Sequence, residues 1–188
     1  MYEFSKIEEE FLKIEPPDYS ALSKFYHQHN TALLGGFESK NNEKVVSLKM
    51  LMEIICVNSF EAKHNEALFL YSKIKPYLTA TTDTNNLFFC IGQSHFAFKN
   101  YRLALVYFKK YKPTQNQKKN YNEVVAICNK ELTKKILLYI SFIGYLLIAI
   151  KYIILWFFNN NYNNTISLLG LIGVVLILPY YLFINLKK

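Results

Sequence analysis

The chain lacks the marks of a secreted or disulfide-built protein. Its three cysteines, Cys56, Cys90 and Cys128, are unevenly spaced and form no C-x-x-C pair. They are expected as small apolar core residues in a reducing compartment, not as a disulfide framework. The start, Met1-Tyr2-Glu3-Phe4, is acidic and has no basic stretch with an apolar run behind it, which speaks against a signal peptide; Tyr2 excludes myristoylation. Catalytic patterns are missing too. There is no H-E-x-x-H, no G-x-S-x-G and no phosphate-binding glycine loop, since Gly35-Gly36 stands alone. Glu8-Glu9-Glu10 reads as a solvated acidic face, His27 and His29 are two apart and so do not share a helical face, and His64 and His95 are single. The expectation is a protein that is not an enzyme, with no catalytic residues, no metal and no cofactor.

Charge is scarce where apolar residues are densest. Ile136 to Phe158 is a run of 23 residues whose only charge is Lys151. As a helix it reaches about 34 Å, enough to cross a hydrocarbon core with some tilt. Ile166 to Leu186 is a second run, of 21 residues and no charge. Both are expected to be helical because a bilayer leaves backbone groups no other partner. Residues 136–158 and 166–186 thus read as a transmembrane hairpin with an external turn at 159–164, and Pro179 is expected to bend the second span near Val175. Lys134 and Lys135 precede the first span and Lys187 and Lys188 follow the second, while the link is uncharged. By the positive-inside rule both termini are cytoplasmic, and Trp156, Phe157, Phe158 and Tyr162 belong at the far interface. Asn163-Asn164-Thr165 matches a glycosylation acceptor, but against the membrane surface it is a chance match.

Lys151 has two readings. Its stem can carry the ammonium toward the interface, or the charge can make an intramembrane contact with an acidic group on a partner. Gly144, Gly170 and Gly173 offer close helix approach without forming a strict motif.

The net charge of +8 is uneven: residues 1–98 carry 9 basic and 12 acidic residues, and 99–135 carry 10 basic and 2 acidic. The basic section is the part nearest the first apolar run, which fits anionic lipid headgroups near 99–135. Tyrosine and phenylalanine are plentiful, 15 of each, but they are spaced as helix cores, so no nucleic acid is expected as a partner.

Residues 1–135 read as an all-α cytosolic domain. Phe4, Ile7, Phe11 and Ile14 share one helical face that Pro16-Pro17 ends; a helix with Leu22, Phe25, Tyr26, His29 and Leu33 follows, stopped at Gly35-Gly36. Helices are then expected over about 43–60, 63–77, 87–98 and 101–111, with a capping-rich loop at 79–86 and an interruption from Pro113 to Asn120. Tyr121, Val124, Cys128 and Leu132 form one stripe, and no Gly or Pro occurs from Tyr121 to Ile143. One continuous helix is expected to run from the domain into the first span.

Two of these helix pairs are related. Ala67 and Ala104 lie 37 residues apart, each followed four residues later by an aromatic, Tyr71 and Phe108. The second pair reads Phe88-x-x-Ile91-Gly92-x-x-His95, then Tyr101-x-x-Ala104-x-x-x-Phe108-x-x-Tyr111. This resembles the tetratricopeptide repeat, in which small residues stand where the two helices approach and large ones fill the space around them. The departures are His95 for an aromatic, Tyr111 for a small residue, Ile55 for glycine in the first unit, and Pro113 ahead of the usual proline position. The period of 37 uses the longer loop at 79–86. The resemblance implies an all-α, TPR-like bundle with repeats at about 45–78 and 86–112 and a capping helix at 121–135.

It also implies a concave groove for a protein or peptide partner, lined by the first helix of each pair. By position the lining is Lys49, Met52, Cys56, Ser59 and Phe60, then Asn86, Phe89, Gln93, Phe96 and Ala97. Two functions follow as expectations. One is a membrane-anchored adaptor that recruits a partner to the cytoplasmic face of a bacterial inner membrane. The other is a structural or protective, immunity-like subunit of a larger membrane complex that makes its contacts through the hairpin.

Overall fold

In the computed structural model of the chain, the residues described are 2–14, 18–36, 41–79, 82–157 and 163–185. Among them are eight α-helices and no strand: α1 Tyr2–Leu12, α2 Tyr19–Gly35, α3 Asn41–Phe60, α4 His64–Ile74, α5 Asn85–Ala97, α6 Tyr101–Phe108, α7 Lys118–Phe157 and α8 Asn163–Asn185. Two compact units divide them, residues 1–128 and 129–188.

Within the first unit the helices stack in chain order. α2 packs on α1 and α3, α3 on α4 and α5, and α5 on α4 and α6. Asp18 starts α2 by accepting the Ala21 N–H at 2.9 Å, and Leu22, Phe25 and Leu33 turn its apolar face inward. Pro16-Pro17, the expected stop before it, lies outside the described residues. α4 ends earlier than the apolar pattern suggests, at Ile74, and residues Lys75–Tyr77 tighten into a 3-10 turn. Pro76 is the reason: it has no N–H to continue the α-helical ladder. The centre of the core is Leu51, Ile54, Ile55, Leu70, Ile74 and Ile91, all virtually inaccessible.

The α3–α4 and α5–α6 hairpins are closed by the same turn. Ala62 and Lys99 both adopt the left-handed conformation, at φ 61° and 58°. In the first, Lys63 N–H donates to the Asn58 carbonyl (2.8 Å) and Ala62 N–H to that of Ser59 (3.3 Å). In the second, Asn100 N–H donates to His95 (2.9 Å) and Lys99 N–H to Phe96 (2.8 Å). This is the paired closure that satisfies the last carbonyls of a helix ending on a left-handed residue. Each partner is displaced by 37 residues, the offset of Ala67 and Ala104. The internal repetition is therefore present in the backbone hydrogen bonding. The filling differs between the two. A Cβ on Gly92 would fall 2.5 Å from the ring of Phe108, which is fully buried; the equivalent of Gly92 in the first hairpin is the buried Ile55.

The second unit holds the rest of α7 and α8. α7 is one uninterrupted helix of 40 residues, and α8 runs for 23 through Pro179. Each is long and apolar enough to cross a membrane, and the most apolar window is only 11% buried in α7 and 17% in α8. A core helix of a soluble domain has most of such a surface covered. α8 starts at Asn163, three residues ahead of the expected Ile166, while the rest of the expected turn, 159–162, lies outside the described residues, as do Phe158 and the basic tail Lys187-Lys188.

α7 and α8 touch through their glycines. A Cβ on Gly144 would come 2.6 Å from the Gly173 carbonyl oxygen, and one on Gly173 would come 2.7 Å from that of Gly144 and equally near Ile148. Ser141, Gly144, Ile148 and Lys151 recur every three or four residues along α7, as Ile166, Gly170, Gly173 and Ile177 do along α8. This is the seam spacing of two helices packed nearly parallel to each other's axes. The Tyr145 and Tyr181 hydroxyls meet at 3.3 Å beside it.

Candidate functional site

α3 carries apolar residues on two sides, with Lys44, Lys49 and Glu53 interspersed on the second. One side, with Leu51, Ile54, Ile55 and Asn58, is sealed in the core. The other carries Val45, Leu48, Met52, Cys56 and Phe60 at helical spacing and faces a cavity of about 1120 Å³. On this second side Leu48 is buried and Met52 and Cys56 are half-buried, while Val45 is 65% and Phe60 53% exposed. The cavity is at the upper end of the sizes that hold a small molecule.

Its walls come from distant parts of the first unit. Phe11 and Ile14, with Tyr19 and Leu22 of α2, form one side; Asn86, Leu87, Phe89 and Cys90 of α5 form the other. The segment after α6 closes one end with Tyr111, Gln117 and Tyr121. That segment is held by side-chain amides. Asn85 donates through Nδ2 to the Lys112 carbonyl (3.1 Å) and accepts the Lys112 N–H through Oδ1 (2.7 Å), as a paired strand would. Gln117 Oε1 accepts from the Tyr111 hydroxyl (2.6 Å), the Thr114 hydroxyl (2.9 Å) and the Thr114 N–H (3.1 Å). Tyr111 also lies on Phe89, ring centroids 4.9 Å apart, and Tyr121 donates to the Phe108 carbonyl at 3.1 Å.

The charges around the cavity balance, with Lys44 and Lys49 against Glu53 and Asp83. The Lys44 ammonium sits 4.8 Å from the Tyr77 ring centroid. Burial raises the Glu53 carboxyl above its ordinary value while Lys49 pulls it back. A hydrogen bond with Cys56, then burial, pushes the Cys90 thiol far up, so it stays protonated and unreactive. Both cysteines are free. Among the described residues no three His, Cys, Asp or Glu side chains converge as metal ligands.

Of the ten groove residues expected from position, Lys49, Met52, Cys56, Phe60, Asn86 and Phe89 line this cavity. The other four do not. Ser59 is buried, donates to the Cys90 carbonyl at 2.8 Å and accepts from Ser94 at 3.1 Å, tying α3 to α5. Gln93, Phe96 and Ala97 belong to the second half of α5, beyond the lining, and Phe96 packs edge-on against Tyr101 at 5.8 Å. The physical reason is that only the first turns of α5 face α3's open side. Val45 and Leu48 lie outside the positional set, although their spacing from Met52 marks the same face; nothing local marks the α1 and α2 wall.

No protein-family model matches the chain, and no curated protein or solved structure matches it either. The reading of the site therefore stands on its own geometry.

In the second unit, Lys151 lies against α8. A Cβ on Gly170 would come 2.8 Å from Lys151 Cδ and 2.9 Å from Nζ. The Tyr152 ring centroid is 5.9 Å from the same ammonium.

Proposed function

We propose that the chain is a membrane-anchored, helical-repeat adaptor: a TPR-like body whose groove takes an apolar protein or peptide segment, fixed to the cytoplasmic face of a membrane by the α7–α8 hairpin. The observation that carries this reading is the partly uncovered second side of α3, with Val45 and Phe60 exposed, in a cavity of about 1120 Å³. Leaving such a face to water costs roughly 25 cal/mol per Å² of apolar area, so a binding partner that covers it gains that much in return. The balanced charge of the rim favours a segment recognised mainly by apolar side chains, with Asn86, Asn116 and Asn120 available to its polar groups.

Two features support the membrane half. α7 and α8 are long and apolar enough to cross, and their apolar surface is left largely uncovered. All ten Lys and Arg side chains of residues 99–135 are exposed, and near an anionic leaflet each contributes on the order of 1 kcal/mol.

The test is a crosslinking pull-down from native membranes with wild type and with the double variant Val45→Glu/Phe60→Glu. Both positions are exposed, so the helical content of the variant is expected to be unchanged. Phe89 is a poorer target because it packs on Phe108 and Tyr111. The adaptor reading expects specific partners to be lost from the variant while it stays in the membrane fraction. Identical partners for both proteins would overturn it.

A further inference from the structure

We infer that Lys151 and Gly170 together form a docking point, at the depth of the apolar helices, for the carboxylate of an Asp or Glu on a partner's transmembrane helix. The inference rests on the membrane reading above. It does not depend on the groove.

An ammonium inside an apolar span is costly unless something neutralises it. Three observations narrow down what does so here. The first is position. A lysine that escapes to the interface carries its ammonium out to the end of the span, whereas the Cδ and Nζ of Lys151 both lie at Gly170. Gly170 is what makes room: any side chain there would occupy the position of the lysine stem. Gly170 follows Ile166, the start of the second apolar run, by four residues, which puts the ammonium about 6 Å, one helical turn, inside the boundary.

The second observation is composition. No acidic residue follows Glu131 anywhere in residues 132–188, so neither α8 nor the span of α7 supplies a counter-charge. The Tyr152 ring at 5.9 Å offers only a weak attraction. The third concerns a second copy of the chain. The nearest acid it offers in this unit is Glu131, 20 residues before Lys151 on the same helix, or about 30 Å along it. A copy in the same orientation thus cannot bring a carboxylate to the level of Gly170. The counter-charge must come from a different helix, with its acid one turn inside the end at which the hairpin turns. A carboxylate there meets a fixed ammonium in a medium of low dielectric and forms a charge-assisted hydrogen bond.

The probe is a synthetic leucine-rich transmembrane helix bearing one Glu a single turn inside the matching boundary, with two controls: Gln at the same position, and Glu moved to the other end. The full chain is reconstituted with each in vesicles of zwitterionic lipid, and association is read by energy transfer between labels. The expected result is association at least about fivefold tighter for the matched Glu helix than for either control. Lys151→Met, which keeps the length of the stem, abolishes the preference, and Lys151→Arg retains it. Equal association of the three helices with membrane-embedded protein overturns the pairing. So does a Lys151 effect that appears only with anionic lipid, which would assign the ammonium to a headgroup phosphate. Release of the protein by alkaline carbonate overturns the membrane reading, and this inference with it.

Discussion

Two helix pairs in this molecule cross at glycine, and they use it in opposite ways. In α5–α6, Gly92 leaves a hollow that the Phe108 ring fills at 2.5 Å from where a Cβ would stand, and Phe108 is fully buried. In α7–α8, Gly144 and Gly173 bring each backbone against the other's carbonyl oxygen, with the aliphatic chains of Ile148 and Ile177 packed beside them and no ring inserted. The large residues of that pair, Phe142, Trp156, Leu171 and Val175 among them, are exposed. In water the stabilising step is to bring an aromatic ring inside, and glycine makes the space for it. Where the surroundings are as apolar as leucine, burying leucine gains nothing, and close backbone approach and shape carry the packing instead. The contrast is what the proposed bilayer setting for α7–α8 requires.

The largest test of this contrast is Gly92→Val. The new side chain collides with a ring that has nowhere to move, and overpacking of this kind costs about 3 kcal/mol. Chemical unfolding of the full chain in detergent micelles should show the loss in the first unit's transition; a loss below about 1 kcal/mol would mean that the ring repacks freely.

Gly173→Val should cost less, about 1–2 kcal/mol, because the helices of the second unit can separate by a small distance and refill with detergent or lipid. The control is Leu178→Val, at an exposed position of α8, which should leave the thermal unfolding of the pair in micelles unchanged. If the two substitutions have equal effects, the glycine contact is not what joins α7 to α8.

The smallest effect concerns how each region treats a polar group. His95, half-buried and stacked on Tyr107 at 5.4 Å, has its Nδ1 without a partner. Burial holds its imidazole below the ordinary value. The unfolded chain therefore binds a proton that the folded chain refuses, so stability is full above about pH 6.5 and falls as the pH drops through that value. His95→Phe should flatten this part of the stability profile between neutral pH and about pH 5. A slope unchanged by the substitution would place the acid sensitivity elsewhere.

Much of this molecule follows from local composition. The two apolar runs stand out because Lys151 is their only charge; the first lies in the later part of α7, which starts at Lys118, and the second in α8, which starts three residues ahead of it. The stretch from Tyr121 to Ile143, without Gly or Pro, became part of one helix. The 37-residue offset, visible in Ala67 and Ala104, reappears in the hydrogen bonds of two matching turns. Hydrophobic spacing and helix breakers act over a few residues, so the sequence alone reports them.

The lining of the cavity was only half visible in the same way. Lys49, Met52, Cys56 and Phe60 share a face of α3 that spacing can find, and Asn86 and Phe89 were expected from the resemblance alone. That Phe11, Tyr19 and Leu22 form the opposite wall, that Asn85 ties down Lys112, and that α5 turns Phe96 toward Tyr101 depend on contacts between residues far apart in the chain. The position of the Lys151 ammonium is of the same kind. Its charge and depth can be read from the run it interrupts, but whether it reaches the end of the span or lies at Gly170 was decided only when α8 packed against it. Periodicity tells which side of a helix is apolar; it carries no information about which neighbour covers that side, or about a side left uncovered.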